Sequence, residues 1–162
     1  SDWSSDVCSS DLLYLDKGQL GFPGTANPSS DANTFDDYEE GIWTYAIIGT
    51  SAAGAGTYSV QAGTYTKKGR EVAVIGEATW SAHTGTGNMK ISGLPFTNGN
   101  GNGFQAPVTL YYSALTFGGP VVGFVDSNAT TITLQTIATG AASTALPMDT
   151  AATLRVQATY FT

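Results

Sequence analysis

The sequence predicts an all-β fold: an antiparallel β-sandwich, jelly-roll-like, of about eight strands behind an extended N-terminal stalk. Three observations carry this expectation. The 162 residues include 20 glycines, and only 12% are charged. Threonine, alanine and tyrosine are abundant, a composition that favours strands and turns over helices. From Ile42 onward, short runs of β-forming residues recur between clusters of turn residues. Within several of these runs apolar and polar residues alternate with period two, the pattern of an antiparallel strand with one buried face. No amphipathic helical stripe and no repeat at a solenoid period is visible.

Residues 1–12, SDWSSDVCSSDL, contain no base and no apolar block, so they lack the parts of a secretory signal. Asp2, Asp6 and Asp11 do not have the spacing of an EF-hand loop. The run Asp2–Leu12 instead resembles the translation of a widely used sequencing adapter. It is therefore expected to be a non-native scar that replaces the natural N-terminus, which sets Trp3 and Cys8 aside. Residues 13–41 hold Pro23, Pro28 and many Gly, Ser, Asn and Asp residues, and read as a stalk or linker. Residues 42–162 read as the β-domain.

Strands are expected near IWTYAII (42–48), TYSVQAGTYT (57–66), EVAVIGEATW (71–80), NMKIS (88–92), PVTLYYSAL (107–115), VVGFV (121–125), TTITLQTI (130–137) and TLRVQATYF (153–161). The first two are rich in β-branched and aromatic residues, and SAAGAG and KKGR close them. In the third, Val72, Val74, Ala78 and Trp80 share one face, with Glu71, Glu77 and Thr79 on the other. SAHTGTG and FTNGNGNG bound the short fourth run. In the fifth, Tyr111 and Tyr112 are adjacent, so their rings face opposite ways. FGGP and DSNA bound the sixth, and ATGAASTALPMDT separates the last two. In the final run Leu154, Val156, Ala158 and Tyr160 oppose Arg155, Gln157 and Thr159.

Charge and composition exclude several function classes. The net charge is −7, but residues 1–40 hold nine acids and one lysine while residues 41–162 hold four acids and five bases. The domain has no basic patch for nucleic-acid phosphates. No apolar run reaches the length of a membrane-spanning helix. The single cysteine leaves no intrachain disulfide, and none remains in the body for a Cys-based zinc site or thiol catalysis.

Catalytic chemistry finds little support. His83, the sole histidine, lies in SAHTGTG, where no motif supplies a nucleophile and an orienting acid; it reads as an exposed loop histidine. A glycosidase pairs two carboxylates about 5–9.5 Å apart. The body offers Glu71, Glu77, Asp126 and Asp149; Glu71 and Glu77 are six residues apart, about 20 Å along a strand. Asp36, Asp37, Glu39 and Glu40 are weak candidates for a divalent cation but read better as a solvated collar between stalk and domain. The expectation is no catalytic residue, no cofactor and no metal. The ligand-binding candidates are the polar and aromatic residues His83, Asn98, Asn100, Asn102, Phe104, Tyr111 and Tyr112, with loops 81–88 and 97–105 as the contact regions.

At FDDYEEGIWT (35–44) the chain resembles a motif recurrent in bacteriophage tail fibres and related virion proteins, where DDYEEG is usually followed by Thr-Trp-Thr-Pro. Here Ile42 and Tyr45 replace the threonine and the proline. TYSVQAGTYTKKGREV, ISGLPF, the terminal TLRVQATYF and the preceding FPGTANPSSDANTF resemble further blocks of that family in the same order, so the resemblance covers roughly residues 19–162. It implies the C-terminal β-domain of a tail fibre: homotrimeric, extracellular on the virion, non-catalytic, and either structural or bound to a host-surface glycan or protein. The alternatives are a tailspike-like glycan depolymerase and a secreted carbohydrate-binding module.

Overall fold

The computed structural model describes Thr34, residues 37–117 and residues 119–162. The expected scar and most of the expected stalk lie outside the described residues. The described residues of the body, Tyr38–Thr162, lie in β-strands and loops. In chain order the strands are β1 (Tyr38–Ile42), β2 (Ala46–Gly49), β3 (Gly56–Lys68), β4 (Glu71–His83), β5 (Met89–Ser92), β6 (Pro107–Ser113), β7 (Val121–Val125), β8 (Thr131–Ile137), β9 (Ser143–Ala145) and β10 (Ala152–Phe161). All the pairings are antiparallel, as expected.

The strands form one curled sheet in the order β1-β3-β4-β10-β6-β7-β8-β5-β2, with β9 attached to β8. β6 and β7 are joined by two residue pairs only, Pro107↔Phe124 and Val108↔Gly123, and the sheet folds over at this corner. One layer is then β1-β3-β4-β10-β6 and the other β7-β8-β5-β2. Their inner faces enclose the core.

The alternation read in the sequence is what buries the core. Val72, Val74, Ala78 and Trp80 of β4, and Leu154, Val156, Ala158 and Tyr160 of β10, are all buried. Register makes the two rows complementary in size. Trp80 lies opposite Ala152, Leu154 opposite Ala78 and Val156 opposite Gly76. Large side chains thus fill the space left by small ones on the neighbouring strand, which gives dense packing without strain. Ile47, Met89, Ile91, Ile132, Leu134 and Leu146 supply the facing layer, each no more than 1% exposed.

Three differences from the sequence reading have physical causes. Tyr38–Gly41, assigned to the stalk, form most of β1 and pair with Tyr65–Lys68 of β3. The single run 42–48 is broken: Trp43–Tyr45 leave the ladder and carry the chain from β1 to β2. β9, inside an expected loop, is a three-residue strand exposed along its whole length; it has no buried face to leave a pattern.

The crossing at Trp43–Tyr45 closes the fold. β1 and β2 are consecutive in sequence but are opposite ends of the hydrogen-bonded path. The Trp43 amide donates to the Gly63 carbonyl (3.0 Å). Its indole N–H donates to the carbonyls of Thr64 (3.2 Å) and Ile75 (3.1 Å), which belong to β3 and β4. The ring lies on the Gly63↔Gly76 pair, where a Cβ on Gly63 would fall 2.4 Å from the indole nitrogen. A Cβ on Gly76 would fall 2.6 Å from the Tyr45 ring and 2.7 Å from that of Trp43. Tyr45 packs beside Trp43 with ring centroids 5.3 Å apart, and burial raises its phenol pKa.

Farther along the same seam, β2 is tied by side chains. The Tyr58 hydroxyl accepts from the Ile47 amide (3.0 Å), and His83 Nε2 bonds the Ile47 carbonyl (2.9 Å). These two groups satisfy the edge of β2 that faces away from β5, where the burial of unpaired backbone would be costly.

Gly76→Ala is expected to destabilise the fold by about 1–3 kcal/mol, the usual cost of overpacking a core. Gly103→Ala, where an added Cβ meets nothing within 4 Å, should change stability little. Equilibrium denaturation of both variants checks this, and equal effects would contradict the role of the glycine pair.

Candidate functional site

The sequence-predicted candidates do not form one site. β4 separates them: the loop after His83 is at one end of the strand and Glu71 at the other, about 40 Å apart at a strand's rise per residue. Loop 97–105 belongs to the Glu71 end, because the Gly99 amide donates to the carbonyl of Phe161, the residue paired with Glu71. Loops 81–88 and 97–105 therefore cannot contact one small ligand together.

His83 is not an exposed loop residue. It is the last residue of β4 and is buried. Its Nδ1 accepts from the Gly85 amide (2.9 Å), which leaves Nε2 to donate its proton to the Ile47 carbonyl. Both ring nitrogens are occupied by backbone, so His83 holds the seam and is withdrawn from ligand binding. Tyr112 faces inward and is half-buried, and its hydroxyl accepts from the Val121 amide (3.2 Å). It links β6 to the start of β7.

Asn98 is also structural. Only 1% exposed, it donates through Nδ2 to the carbonyls of Phe104 and Asp126. The first bond closes the NGNGNG segment on itself, and the second ties its start to the turn 126–130. The same turn is held by Asn128 N–H to the Gly99 carbonyl (3.1 Å) and by Ser127 Oγ, which accepts from Gly101 N–H (3.1 Å). Asp126 anchors the turn in its own strand layer. Its carboxylate accepts from Lys90 Nζ (2.8 Å) and from the hydroxyls of Thr131 and Thr133. The ring of Phe104 is half-buried, with the Arg70 guanidinium 6.0 Å from its centroid.

Of the candidates at this end, Asn100 and Asn102 remain exposed, on a loop flanked by Asn128, whose amide bonds Gly99, and by Arg70, which lies against the Phe104 ring and donates through Nε to the Thr162 carbonyl. Two free amides and a guanidinium offer donors and acceptors in both directions, over the partly covered edge of an aromatic ring. This arrangement suits a neutral or weakly anionic polyhydroxylated ligand. The nearby Tyr160 hydroxyl, which donates to the Phe96 carbonyl (3.1 Å), is buried, and that burial pushes its pKa up to about 12.

Tyr111 lies elsewhere, on the outer face of the β3-β4-β10-β6 layer, and is 56% exposed. It sits opposite Arg155, and Arg155 sits opposite Glu77, so the three form a row across β6, β10 and β4. Arg155 donates to Glu77 through Nε (2.9 Å) and Nη2 (3.2 Å), and its guanidinium lies 5.4 Å from the Tyr111 ring centroid. As expected from their adjacency, Tyr111 and Tyr112 point to opposite faces. Arg155 is not among the sequence candidates, although it lies against one of them, Tyr111. Its outward position is legible from alternation, but its register against Glu77 and Tyr111 is not.

The weak cation candidates are divided. Asp36 lies outside the described residues. Glu39 and Glu40 point to opposite faces of β1, and accept from the hydroxyls of Tyr65 and Tyr38 respectively. The Glu39 carboxylate is the main reason the Tyr65 pKa rises to about 12. Among the described residues, no three His, Cys, Asp or Glu side chains come together as a metal centre.

No family model and no curated protein sequence matches the chain. Among solved structures, the Dettilon tailspike protein (gp208) shares its fold, with a TM-score of 0.54 and 17% sequence identity. The similarity covers 75% of this chain and 23% of that one, so this chain spans less than a quarter of the tailspike. At this identity the likeness is one of fold.

Asn98→Ala would take the donor from two partly buried carbonyls and is expected to lower stability by about 1–3 kcal/mol. Asn100→Ala and Asn102→Ala should stay within about 0.5 kcal/mol of the parent, as exposed loop substitutions do. Thermal and urea denaturation of the three variants measures the difference.

Proposed function

We propose that this chain is a surface module of a bacteriophage tail fibre or tailspike, structural in the virion and able to hold a host-surface glycan or protein without cleaving it. One observation carries the proposal: the fold of a tailspike protein recurs over 75% of the chain, and it agrees with the DDYEEG resemblance in the sequence. The end formed by loop 97–105 and turn 126–130 is the binding surface, with Asn100, Asn102 and Arg70 as the contact groups. Rigid anchoring of the loop by Asn98 and Ser127 favours binding, because little loop order is lost when the ligand arrives. The module works as a homotrimer, extracellular on the virion.

A binding role without hydrolysis also suits the carboxylates. Glu77 is engaged by Arg155, and Asp126 by Lys90 and two threonines. Asp149 is buried and accepts both from the Thr116 amide (2.7 Å) and from its hydroxyl (3.0 Å). A glycosidase acid and base need room for substrate or water between them; Asp126 and Asp149 are tied into the framework, Glu77 is held in a surface ion pair, and Glu71 is exposed at the far end of β4 from His83.

The test is adsorption of the labelled protein to a panel of bacterial cells and to a glycan array. The parent is expected to bind a subset of cells or glycans, with affinity falling about tenfold or more in an Asn100→Ala, Asn102→Ala double variant, equivalent to the loss of one or two good hydrogen bonds. Absence of binding to every cell and glycan would overturn the receptor role. Release of reducing sugar from a bound polysaccharide would overturn the non-catalytic reading.

A further inference from the structure

β3 is longer than the strand that covers it. β1 pairs with Thr64–Lys68, and the Trp43 amide closes on the Gly63 carbonyl. From Thr57 to Ala62, no strand among the described residues lies on that side of β3. Ser59, Val60, Gln61 and Ala62 are all exposed. Hydrogen-bonded and non-hydrogen-bonded pairs alternate along an antiparallel ladder. The bond from Trp43 to Gly63 therefore puts the N–H and C=O of Gln61 on the same open side.

Proteins that stay monomeric blunt such edges with charged side chains or proline. Residues 41–66, which run from the end of β1 nearly to the end of β3, contain neither. The one blunting device present is the bulge at Ser59, which limits the regular open edge to Val60–Ala62. Beside it, where β1 stops, a shallow groove of about 490 Å³ runs over the outer face, with Ile42, Ala62, Thr64 and Ile75 among its lining residues. Ile42 is 85% exposed and Ile75 58%.

The wider face has the same character. Tyr38, Ile42, Val60, Ile75, Tyr111 and Phe161 are exposed large apolar residues, and register places them all on the outer side of the β1-β3-β4-β10-β6 layer. Charges there nearly balance: Glu77 pairs with Arg155 at the rim of the groove, and Lys68 sits opposite Glu71, which leaves one carboxylate, Glu40, held by the Tyr38 hydroxyl. A strongly charged partner finds no complement on this face. A neutral, apolar β-surface does, and residues 41–162 of this chain, with four acids and five bases, provide one.

We propose that a second copy of this chain docks on this face, with apolar side chains in the Ile42–Ile75 groove and strand addition along Val60–Ala62. The proposal rests on the reading of the chain as an oligomeric fibre module and assigns the surface that reading leaves open. In a closed three-copy ring the contact is heterologous, so this face of one copy meets a different surface of the next.

The experiment is the molar mass of the full chain by light scattering across a concentration series, for the parent and two variants. Ile75→Lys places a charge in the groove and Val60→Lys places one at the open edge. Far-ultraviolet circular dichroism and melting curves report whether each variant is folded. The parent is expected to be oligomeric. Ile75→Lys and Val60→Lys should each remain folded and weaken assembly at least tenfold. Should one groove or edge variant fail to fold, the other decides. If the folded variants assemble like the parent, this face is not the interface, although the oligomeric module reading stands. A parent that is monomeric at every concentration overturns both.

Discussion

The crossing from Ile42 on β1 to Ala46 on β2 covers four Cα steps, which reach at most about 14 Å. These strands are the two ends of the sheet's hydrogen-bonded path. The covalent link therefore forces the sheet to curl until its ends lie one layer's thickness apart, about the 10 Å at which packed sheets stand. Everything inside the fold follows from that closure. The inner rows of β4 and β10 face the inner rows of β8, β5 and β2 because the ends meet. The seam has no continuous ladder, so side chains hold it: the Trp43 indole on β3 and β4, and Tyr58 and His83 on β2.

That closure explains where glycine is required. Trp43 can lie flat against the sheet because its two nearest cross-strand neighbours, Gly63 and Gly76, carry no Cβ. Their weak β-propensity is offset by the aromatic contact they permit. Closure also explains the open edge of β3. The chain leaves β1 early to reach β2, so the edge of β3 away from β4 has no strand among the described residues beside it from Ala62 back to Thr57. Closure and the exposed edge are consequences of one chain path, and the surface proposed for a second copy begins where that path turns inward.

Local periodicity made much of the fold legible. Alternation in 71–80 and 153–161 identified the buried rows of the two central strands, and the adjacency of Tyr111 and Tyr112 fixed their opposite orientations. Non-local features were not legible. IWTYAII is continuous in β-forming residues, and only contact with Gly63 and Gly76 shows that Trp43–Tyr45 leave the ladder. His83 looked like a loop residue because Thr and Gly follow it, yet β4 extends to it and Ile47 claims its ring. Asn98 shares its sequence texture with Asn100 and Asn102 but is buried, since two carbonyls from separate segments converge on its amide. Arg155 and Glu77 are 78 residues apart, and pairing register at that range leaves no trace in one sequence.

The fold therefore separates rigid from available parts: a stapled seam, an anchored loop end with free amides, and an apolar outer face. If the seam is what holds the sheet closed, it should open only when the whole domain unfolds. Native-state hydrogen exchange tests this at the amides of Trp43 and Ile47, which bond the Gly63 carbonyl and the Tyr58 hydroxyl. Both are expected to exchange as slowly as the central amides of β4 and β10, with the same dependence on denaturant. Exchange at the seam orders of magnitude faster, while β4 and β10 stay protected, would show that the ends part independently and that closure does not govern the fold.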